Sequence, residues 1–383
     1  MAKGGIAGFE TNDISTGLLE IPGTGCTFDT TIVRTGTYSG KVVPTSGVSC
    51  RFQLAFMVGT AGVAFLRFYI RVTARPATTA RLIHGQISAS STSLRLNPDG
   101  TVAYYQNTTL IGTSTIALTD TTRWYMLEIR TLDGTSVTVL QIDGVPQVTG
   151  SPSSWTLSSQ LGADDTVADT YTAYFDDVAW DTAAFPGPGK AVLLRPISDN
   201  ARAALWTGGV GGTTNLFDAV NNNPPIGTAT ETDLTQIEHA GGAAGTTDAY
   251  DANMTSYTTA GMGASDTVNS ISFFIVHGED SGTGTKLLNF SLVSNPTQAS
   301  SLANFTAGGD VGALGTYGSN WTMRVNGIIS SPSVTLGTSP VMRVVRPETA
   351  ARVASVCFMG MYVDYTPHPA PPWGRRHRNL IIR

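Results

Sequence analysis

The feature that most constrains the fold is an apolar strand that ends against a Pro/Gly-rich break near the middle of the chain. Residues 171–181 read YTAYFDDVAWD, which is typical of a β-strand, and FPGPGK follows at residues 185–190. Proline and glycine in this number end a strand. With 383 residues, the chain is longer than the roughly 100–150 residues that one domain usually has. We therefore predict two domains, with this division: residues 1–183, a linker at 184–192, residues 193–366, and a tail at 367–383.

Short runs of alternating apolar and polar residues recur in both halves, with turn residues between them. In the first half the reversals are marked by NPDG at residues 97–100 and by DG at 133–134 and 143–144. This spacing favours antiparallel hairpins, and helical periodicity is almost absent. The sequence thus predicts an all-β protein of two tandem antiparallel β-sandwich or jelly-roll domains. In the strand at residues 124–130, alternation also predicts that Glu128 and Arg130 share a solvent-facing surface.

Charge and hydropathy exclude several classes of function. Charged residues make up 13% of the chain and its net charge is −5, whereas soluble domains average roughly 25% charged residues. No basic face is expected, so we predict no nucleic-acid partner. The chain has no stretch of 18 apolar residues and no N-terminal signal pattern, so we predict neither membrane insertion nor Sec export. A weakly charged surface also favours contact with neighbouring subunits, and we expect a homo-oligomer.

Three cysteines leave the redox state open. Cys26 and Cys50 either pair across neighbouring strands or remain buried thiols, while Cys357 lies in an apolar strand and is predicted to be core. No cysteine or histidine spacing indicates a metal site.

Several short motifs in the first half resemble one known family. They are GFE at residues 8–10, TGTYSGKV at 35–42, and the later segments NPDGTVAYY, RWYMLEI, LQIDG and YFDDVAW. In content and order they resemble the concanavalin A-like lectin/glucanase jelly roll, also called LamG-like. The resemblance covers about residues 5–182 and implies that the first domain is a concanavalin A-like jelly roll.

The second half resembles a module of structural proteins from tailed bacteriophages. The motifs are LLRPISDNARAALW, LFDAVNNNPP, DAYDANMTSY, GTKLLNFSLVSNP, VTLGTSPVMRV and RVASVCFMGMYVDY, between about residues 190 and 366. This resemblance implies a virion location and other virion proteins as partners.

The first resemblance also implies a candidate cation site. Glu10 lies near the start of the first domain and Asp176 and Asp177 lie in its last strand. In LamG-like jelly rolls these two strands are neighbours, and equivalent acids can hold a structural Ca²⁺. The alternative is that the two aspartates end a strand on its solvent side. No other cofactor is predicted.

Aromatic residues are the candidate glycan contacts. Trp155, in a loop, and Tyr105, on a hairpin, are candidates for stacking on sugar rings. The alternative is that they pack in the sandwich. Alternation requires that one of Tyr104 and Tyr105 point inward.

We predict no enzymatic activity. Retaining jelly-roll glucanases place two carboxylates on one strand with Glu-x-Asp-x-x-Glu spacing, which does not occur in this chain. The histidines are scattered, so no triad is predicted.

The tail at residues 367–383 differs from everything before it. Its Pro-rich start should hold it extended, and it ends in basic and apolar groups that suit docking on a neighbouring virion protein. The alternative is a disordered tail. The predicted anchoring residues are Trp373, Arg375, Arg376, Arg378, Leu380, Ile381 and Ile382.

These observations together predict a non-enzymatic virion protein. The leading interpretation is a minor tail protein whose lectin-like domain faces a host-surface glycan. A capsid decoration or head-fibre protein is the alternative in the same setting. An alternative of another class is a glycan-binding or glycan-cleaving module.

Overall fold

A computed structural model shows the fold of most of the chain. The described residues are 3–10, 19–20, 25–44, 50–54, 64–85, 92–106, 108–131, 137–151, 159–163, 170–181, 183–208, 215–220, 237–239, 249–279, 288–293, 295–302, 322–330, 334–345 and 354–368.

The strands up to residue 181 form two antiparallel sheets. Sheet I has eight strands, in the order β13-β12-β11-β6-β15-β4-β3, with β1 paired to β15. Its strands are β1 (Lys3–Ala7), β3 (Cys26–Asp29), β4 (Ser39–Val42), β6 (Ala64–Ala74), β11 (Tyr125–Thr131), β12 (Val137–Ile142), β13 (Val145–Gly150) and β15 (Thr172–Asp181). Sheet II has seven, in the order β10-β9-β8-β7-β14-β5-β2. These are β2 (Leu19–Glu20), β5 (Cys50–Leu54), β7 (Ala80–Gly85), β8 (Thr92–Leu96), β9 (Thr101–Gln106), β10 (Thr109–Ala117) and β14 (Ser159–Ala163).

The strands from residue 190 onward form two further antiparallel sheets. Sheet III has six strands, in the order β18-β19-β26-β21-β24, with β16 paired to β26. They are β16 (Lys190–Leu194), β18 (Trp206–Gly208), β19 (Ile237–His239), β21 (Thr267–Glu279), β24 (Thr322–Ser330) and β26 (Ala354–Thr366). Sheet IV has five, in the order β17-β20-β25-β22-β23. They are β17 (Pro196–Arg202), β20 (Ala249–Met254), β22 (Leu288–Leu292), β23 (Asn295–Leu302) and β25 (Val341–Val345).

Alternating side chains form two apolar clusters, and the first of them also includes Ala191, Phe358 and Tyr362 of sheet III. The core of the first sandwich includes Phe52 and Tyr104 from sheet II and Phe68, Leu127 and Phe175 from sheet I. Each of these five side chains is fully buried, as the period of two in a strand requires for its core-facing positions.

The second sandwich has its own core. Tyr250, Met342 and Val344 of sheet IV and Phe273 and Met361 of sheet III are completely buried within it. A 3₁₀ turn at Leu216–Ala219 is the one helical segment in the described ranges. The prediction of an all-β protein with two tandem antiparallel sandwiches is confirmed.

The Pro/Gly-rich segment leads directly into the second sandwich. Residues 190–192, which the sequence analysis placed in the linker, belong to β16 and pair with Tyr365, Asp364 and Val363 of β26. The second sandwich therefore begins to pair within a few residues of the last proline.

A disulfide joins the two sheets of the first sandwich. Cys26 of β3 in sheet I is bonded to Cys50 of β5 in sheet II, and their Cα atoms are 5.6 Å apart. The alternative left open by the sequence is thereby decided in favour of the bonded pair.

The side chain of Glu128 is buried, whereas the sequence predicted that it faces solvent. Glu128 is only 2% exposed, and its Oε1 accepts a hydrogen bond of 2.7 Å from the backbone N–H of Gly187. The prediction that this part of β11 faces solvent is wrong, because the Pro/Gly-rich segment covers it.

Candidate functional site

A β-bulge in β15 determines where the two predicted aspartates lie. The register of β15 against β6 shifts between Asp176 and Ala179, and Asp177 has a left-handed backbone with φ of 49°. A bulge re-aims side chains that alternation would send to opposite faces. Both Asp176 and Asp177 are fully buried. The alternative that they end a strand on its solvent side is therefore wrong.

Both carboxylates accept hydrogen bonds from protein groups. Oδ2 of Asp177 forms an ion pair with the Arg34 guanidinium and accepts from the Thr35 hydroxyl at 2.9 Å. Its Oδ1 accepts from the backbone N–H of Ala191 at 2.5 Å. Oδ2 of Asp176 accepts from the backbone N–H groups of Arg34 and Thr35, at 2.9 Å and 3.2 Å. Because Ala191 lies in β16, Asp177 links the two sandwiches.

A second buried ion pair also joins the two sandwiches. Nη2 of Arg67, in β6, donates to Oδ1 of Asp364, in β26, at 2.7 Å, and both side chains are fully buried. The Arg67 guanidinium also donates to the backbone oxygens of Asp177 and Gly187. Asn269 donates to the other oxygen of Asp364 at 3.0 Å. These bonds satisfy groups that would be costly to bury alone.

Glu10 lies at the edge of this contact. Its carboxylate accepts from the backbone N–H groups of Thr37, at 2.9 Å, and Tyr38, at 3.3 Å. Its backbone oxygen accepts from Arg195 of the second half at 3.0 Å. Burial raises the pKa of Glu10 to about 7, and the nearby charge of Asp177 contributes to the shift.

We call this contact between the sandwiches the junction. Its charged members are Glu10, Arg34, Arg67, Asp176, Asp177, Arg195 and Asp364. Burial, together with the charge of Asp177, raises the pKa of Asp176 well above its usual range. The four acids of the junction outnumber its three arginines.

The predicted acids come together in the junction, where they connect protein segments. Among the residues that the structure describes, no group of three or more His, Cys, Asp or Glu is arranged to hold a metal ion. The oxygens of Glu10, Asp176 and Asp177 instead receive N–H and O–H donors. This donor set favours a structural role, and the calcium site stays a prediction.

The second candidate region is the surface of sheet II that faces away from the core. Backbone register places Gln160 opposite His84, His84 opposite Ser93 and Ser93 opposite Tyr105. Residues directly opposite one another in an antiparallel sheet share a face. Because Tyr104 is fully buried in the core, Tyr105 lies on the other face and is half-buried. The prediction that one of this tyrosine pair points inward is confirmed.

Arginines accompany Tyr105 on this surface. The Arg95 guanidinium lies 4.1 Å from the centre of the Tyr105 ring. Nη1 of Arg51 donates to Oε1 of Gln160 at 2.9 Å. Arg81 lies directly opposite Arg95 in the β7–β8 pair. We call this surface the outward face and define it by Arg51, Arg81, Arg95, Tyr105 and Gln160. Its arginines and Tyr105 are half-buried, whereas Gln160 is fully buried.

Sequence reasoning found Tyr105 but missed the arginines of both regions. A signal was present, because Arg51, Arg81 and Arg95 each lie beside core-facing residues in the runs CRFQL, ARLIHG and TSLRL. Arg67 has the same pattern in β6, but only the packing of β26 against it identifies its partner.

Other predicted sites fall beyond the described residues. Trp155 lies outside the residues that the structure describes, and its contact with a glycan stays a prediction. The same holds for the tail anchors Trp373, Arg375, Arg376, Arg378, Leu380, Ile381 and Ile382.

One further finding concerns membranes. The described part of the chain has no helix with the length and apolar character needed to span a bilayer.

Comparisons with known proteins return structures of low similarity. No protein-family model matches the chain, and no curated protein sequence matches it. Among solved structures, the cellulose-induced protein Cip1 is 19% identical, with 48% of this chain and 99% of that one covered and a TM-score of 0.40. Domain 4 of AbnA, a GH43 extracellular arabinanase from Geobacillus stearothermophilus in complex with arabinotriose, is 15% identical over 46% and 91%, with a TM-score of 0.35. The CBM22-1–CBM22-2 tandem of Xyn10C from Paenibacillus barcinonensis is 11% identical over 94% and 97%, with a TM-score of 0.28.

Proposed function

We propose that this chain is a non-enzymatic carbohydrate-binding protein whose outward face on sheet II holds the glycan. The observation that carries the proposal is the half-buried Tyr105 beside the half-buried Arg95, on the face of sheet II that is turned away from the core. An aromatic ring offers an apolar surface to a sugar, and neighbouring donors and acceptors fix its hydroxyl groups. Half-buried Arg51 and Arg95 supply N–H donors, while Gln160 is fully buried and accepts a hydrogen bond of 2.9 Å from Arg51.

The absence of catalysis is part of the proposal. Glycoside hydrolysis by the usual mechanism needs two carboxyl groups that flank the bond to be cleaved. The buried carboxyls of Glu10, Glu128, Asp176 and Asp177 accept hydrogen bonds from protein donors in or beside the junction. These carboxyls belong to sheet I and its neighbourhood, whereas the proposed glycan face belongs to sheet II.

The proposed biological setting is the virion of a tailed bacteriophage. The support for it is the resemblance of residues 190–366 to a phage structural module, together with a chain in which 13% of the residues are charged. In this setting the second sandwich attaches to other virion proteins, as a minor tail protein or a capsid decoration protein. Contacts of the junction then fix the orientation of the glycan face relative to the attached part. Immunogold labelling of intact virions tests this setting, which fails if the protein is present in lysate but no particle is labelled.

Binding is tested on a glycan array with the full chain and with Tyr105→Ala. We expect the wild-type chain to bind a defined set of glycans and the variant to lose most of that signal. Incubation of the bound glycans with the protein should release no sugar. Retention of the full signal by the variant would place the site elsewhere, and released sugar would overturn the non-enzymatic assignment.

A further inference from the structure

We propose that two copies of this chain bind each other through the face of sheet IV that is turned away from its core. The sequence predicts a homo-oligomer without indicating where its subunits meet. This inference goes beyond the proposed function, because it does not depend on whether the outward face of sheet II binds a glycan. It depends on the side chains that sheet IV presents and on their arrangement.

The junction determines which sheets lie at the ends of the molecule. Sheets I and III pack against each other there, with the Arg67–Asp364 pair between them. Ala191, Phe358 and Tyr362 of sheet III also pack into the apolar cluster of the first sandwich. The four sheets are therefore stacked in the order II, I, III, IV, and sheets II and IV each have one face turned away from the stack.

Alternation identifies the residues on this face of sheet IV. Ala252, Met342 and Val344 are core residues, so their neighbours along β20 and β25 point to the other side of the sheet. Ser198 of β17 lies opposite Asn253 and shares this side. We call this surface the sheet IV face and define it by Ser198, Asp251, Asn253, Val341, Arg343 and Val345.

The central strand of sheet IV is apolar on both sides. β25 is the third of the five strands, and its sequence VMRVV places Val341 and Val345 on the sheet IV face. Both valines are half-buried. Antiparallel strands with one side in solvent usually alternate apolar with polar residues, whereas strands covered on both sides are apolar almost throughout. The pattern of β25 thus indicates a strand that is covered on both sides in the assembled protein.

One ion pair lies beside these valines. Nε and Nη2 of Arg343 donate to the two carboxylate oxygens of Asp251, each at 2.7 Å. The strands of sheet IV contain two other charged residues, Asp199 and Arg202. Both lie opposite core residues of β20. The charges that these strands place on the sheet IV face therefore cancel, and covering the face leaves both partners of the pair compensated.

Polar side chains flank the valines and the ion pair. Nδ2 of Asn253 donates to Oγ of Ser198 at 2.9 Å, and Ser291 of β22 lies opposite Arg343. Protein–protein interfaces typically combine an apolar centre, in which arginine is enriched, with a polar rim. The sheet IV face has this composition.

The junction shows that this chain packs sheets on one another in the same manner. There, two sheet faces meet around apolar side chains and a single Arg–Asp pair, with 2.7 Å between Arg67 and Asp364. The sheet IV face offers the same combination of groups. We therefore expect another sheet to cover it.

A second copy of the sheet IV face supplies the complementary charges. Asp251 and Arg343 lie directly opposite one another in β20 and β25. A two-fold axis between these strands, parallel to the sheet, brings each Arg343 above Asp251 of the second copy. Such an interface is isologous, so the cross-subunit ion pair occurs twice. The two outward faces of sheet II then lie at opposite ends of the dimer.

The size of the sheet IV face suits a reversible dimer. Five strands at a spacing of roughly 4.8 Å, and about six residues long, cover about 500 Å² in each copy and about 1,000 Å² in total. Contacts of less than roughly 1,200 Å² are usual in weak and transient complexes. We therefore expect dimers at about 100 μM protein and their dissociation at about 1 μM.

Sedimentation velocity of the full chain over this concentration range tests the inference. We expect the mass to rise from that of one chain to that of two chains as the concentration increases. A protein that stays monomeric at about 100 μM would overturn the proposal, and so would a dimer that none of the variants below affects.

Charge reversal locates the interface. Arg343→Glu and Asp251→Lys should each weaken self-association at least about tenfold, because each gives the sheet IV face charges of one sign. An equimolar mixture of the two variants should dimerise again, since the negative face of one meets the positive face of the other. If both variants are folded and the mixture stays monomeric, the proposed pairing is wrong.

A further variant tests the face without changing the ion pair. Val341→Asp should also weaken self-association at least about tenfold, because it would bury a carboxylate at the centre of the contact. The matched control is Arg123→Glu, which disrupts an exposed ion pair with Asp143 on the first sandwich and should leave the dimer unchanged. Urea unfolding of each variant verifies its fold, and an equal weakening in the control would overturn the assignment.

Discussion

Arg67 and Asp364 are separated by 297 residues in the chain, yet their side chains form a fully buried ion pair of 2.7 Å across the junction. Arg67 comes from the central region of sheet I, and Asp364 comes from the last strand of sheet III. Because removal of either partner leaves an uncompensated charge in the interior, the pair couples the contact between the sandwiches to the stability of the chain.

We predict that Arg67→Met destabilises the protein by about 3–5 kcal/mol, measured as the free energy of unfolding in urea. The variant leaves Asp364 buried without the guanidinium, while Asn269 still donates to its Oδ2. The control is Arg123→Met, which removes an exposed ion pair with Asp143. It should cost less than about 1 kcal/mol, because solvent screens such pairs. Equal losses in the two variants would contradict the role given to the junction.

The raised pKa of Glu10 predicts a pH dependence of stability. Its folded-state pKa is about 7, above the ordinary value of 4.5. The folded state therefore binds the proton more tightly, so the stabilisation is complete below about pH 4.5 and is lost as the pH rises through about 7. Glu10→Gln cannot ionise and should not show this loss.

The measurement is the difference in unfolding free energy between Glu10→Gln and wild type across pH 4 to 8. We expect wild type to lose about 3 kcal/mol relative to the variant over this range, since each pKa unit corresponds to about 1.4 kcal/mol. Asp176, whose pKa is also raised, is present in both proteins, so its contribution cancels to first order. A difference that does not change with pH would contradict the assignment.

A glycine next to Glu10 predicts a local steric effect. Gly36 has φ of +72°, and a Cβ built on it would overlap the Glu10 carboxylate. Gly144 has a similar φ of +76°, but nothing lies within 4 Å of its Cβ position. Gly144→Ala should therefore cost about 1–2 kcal/mol from backbone strain alone. We expect Gly36→Ala to lower the midpoint of thermal unfolding more than Gly144→Ala does. Equal shifts would contradict the steric conflict between a Cβ at position 36 and the Glu10 carboxylate.

The disulfide predicts sensitivity to reducing agents. Cys26 and Cys50 are separated by 24 residues, and closing a loop of this size restricts the unfolded chain by about 3–4 kcal/mol. We expect dithiothreitol to lower the unfolding midpoint of wild type and to have no effect on a Cys26→Ala/Cys50→Ala double variant. An unchanged midpoint for wild type, with peptide mapping that finds free thiols, would contradict the pairing.

Residue patterns predicted the fold class but could not predict the bulge in β15. Alternation assigns Asp176 and Asp177 to opposite faces, whereas the extra residue and the left-handed backbone of Asp177 bury both. A bulge depends on pairing with β6, whose Arg67 lies 110 residues before Asp177, and such pairing is not encoded in local periodicity.

The same limit applies to the outward face. The sequence predicts Tyr105 as a glycan contact because it is an aromatic residue on a hairpin. The opposition of Arg81 and Arg95 could not be predicted, because it depends on strand register, and a shift of one residue would reverse every side chain. The net charge also gives no sign of these arginines. A value of −5 is the sum of all charges in the chain and does not show where they lie.

Hydrogen–deuterium exchange of the full chain, with and without its highest-affinity glycan from the array, tests the central claim most directly. We predict slower exchange on ligand binding in β7, β8, β9 and β14, which present the outward face of sheet II. The second sandwich should show no comparable protection. Protection confined to sheets III and IV, with none in sheet II, would contradict the location of the site and the function proposed for the first sandwich.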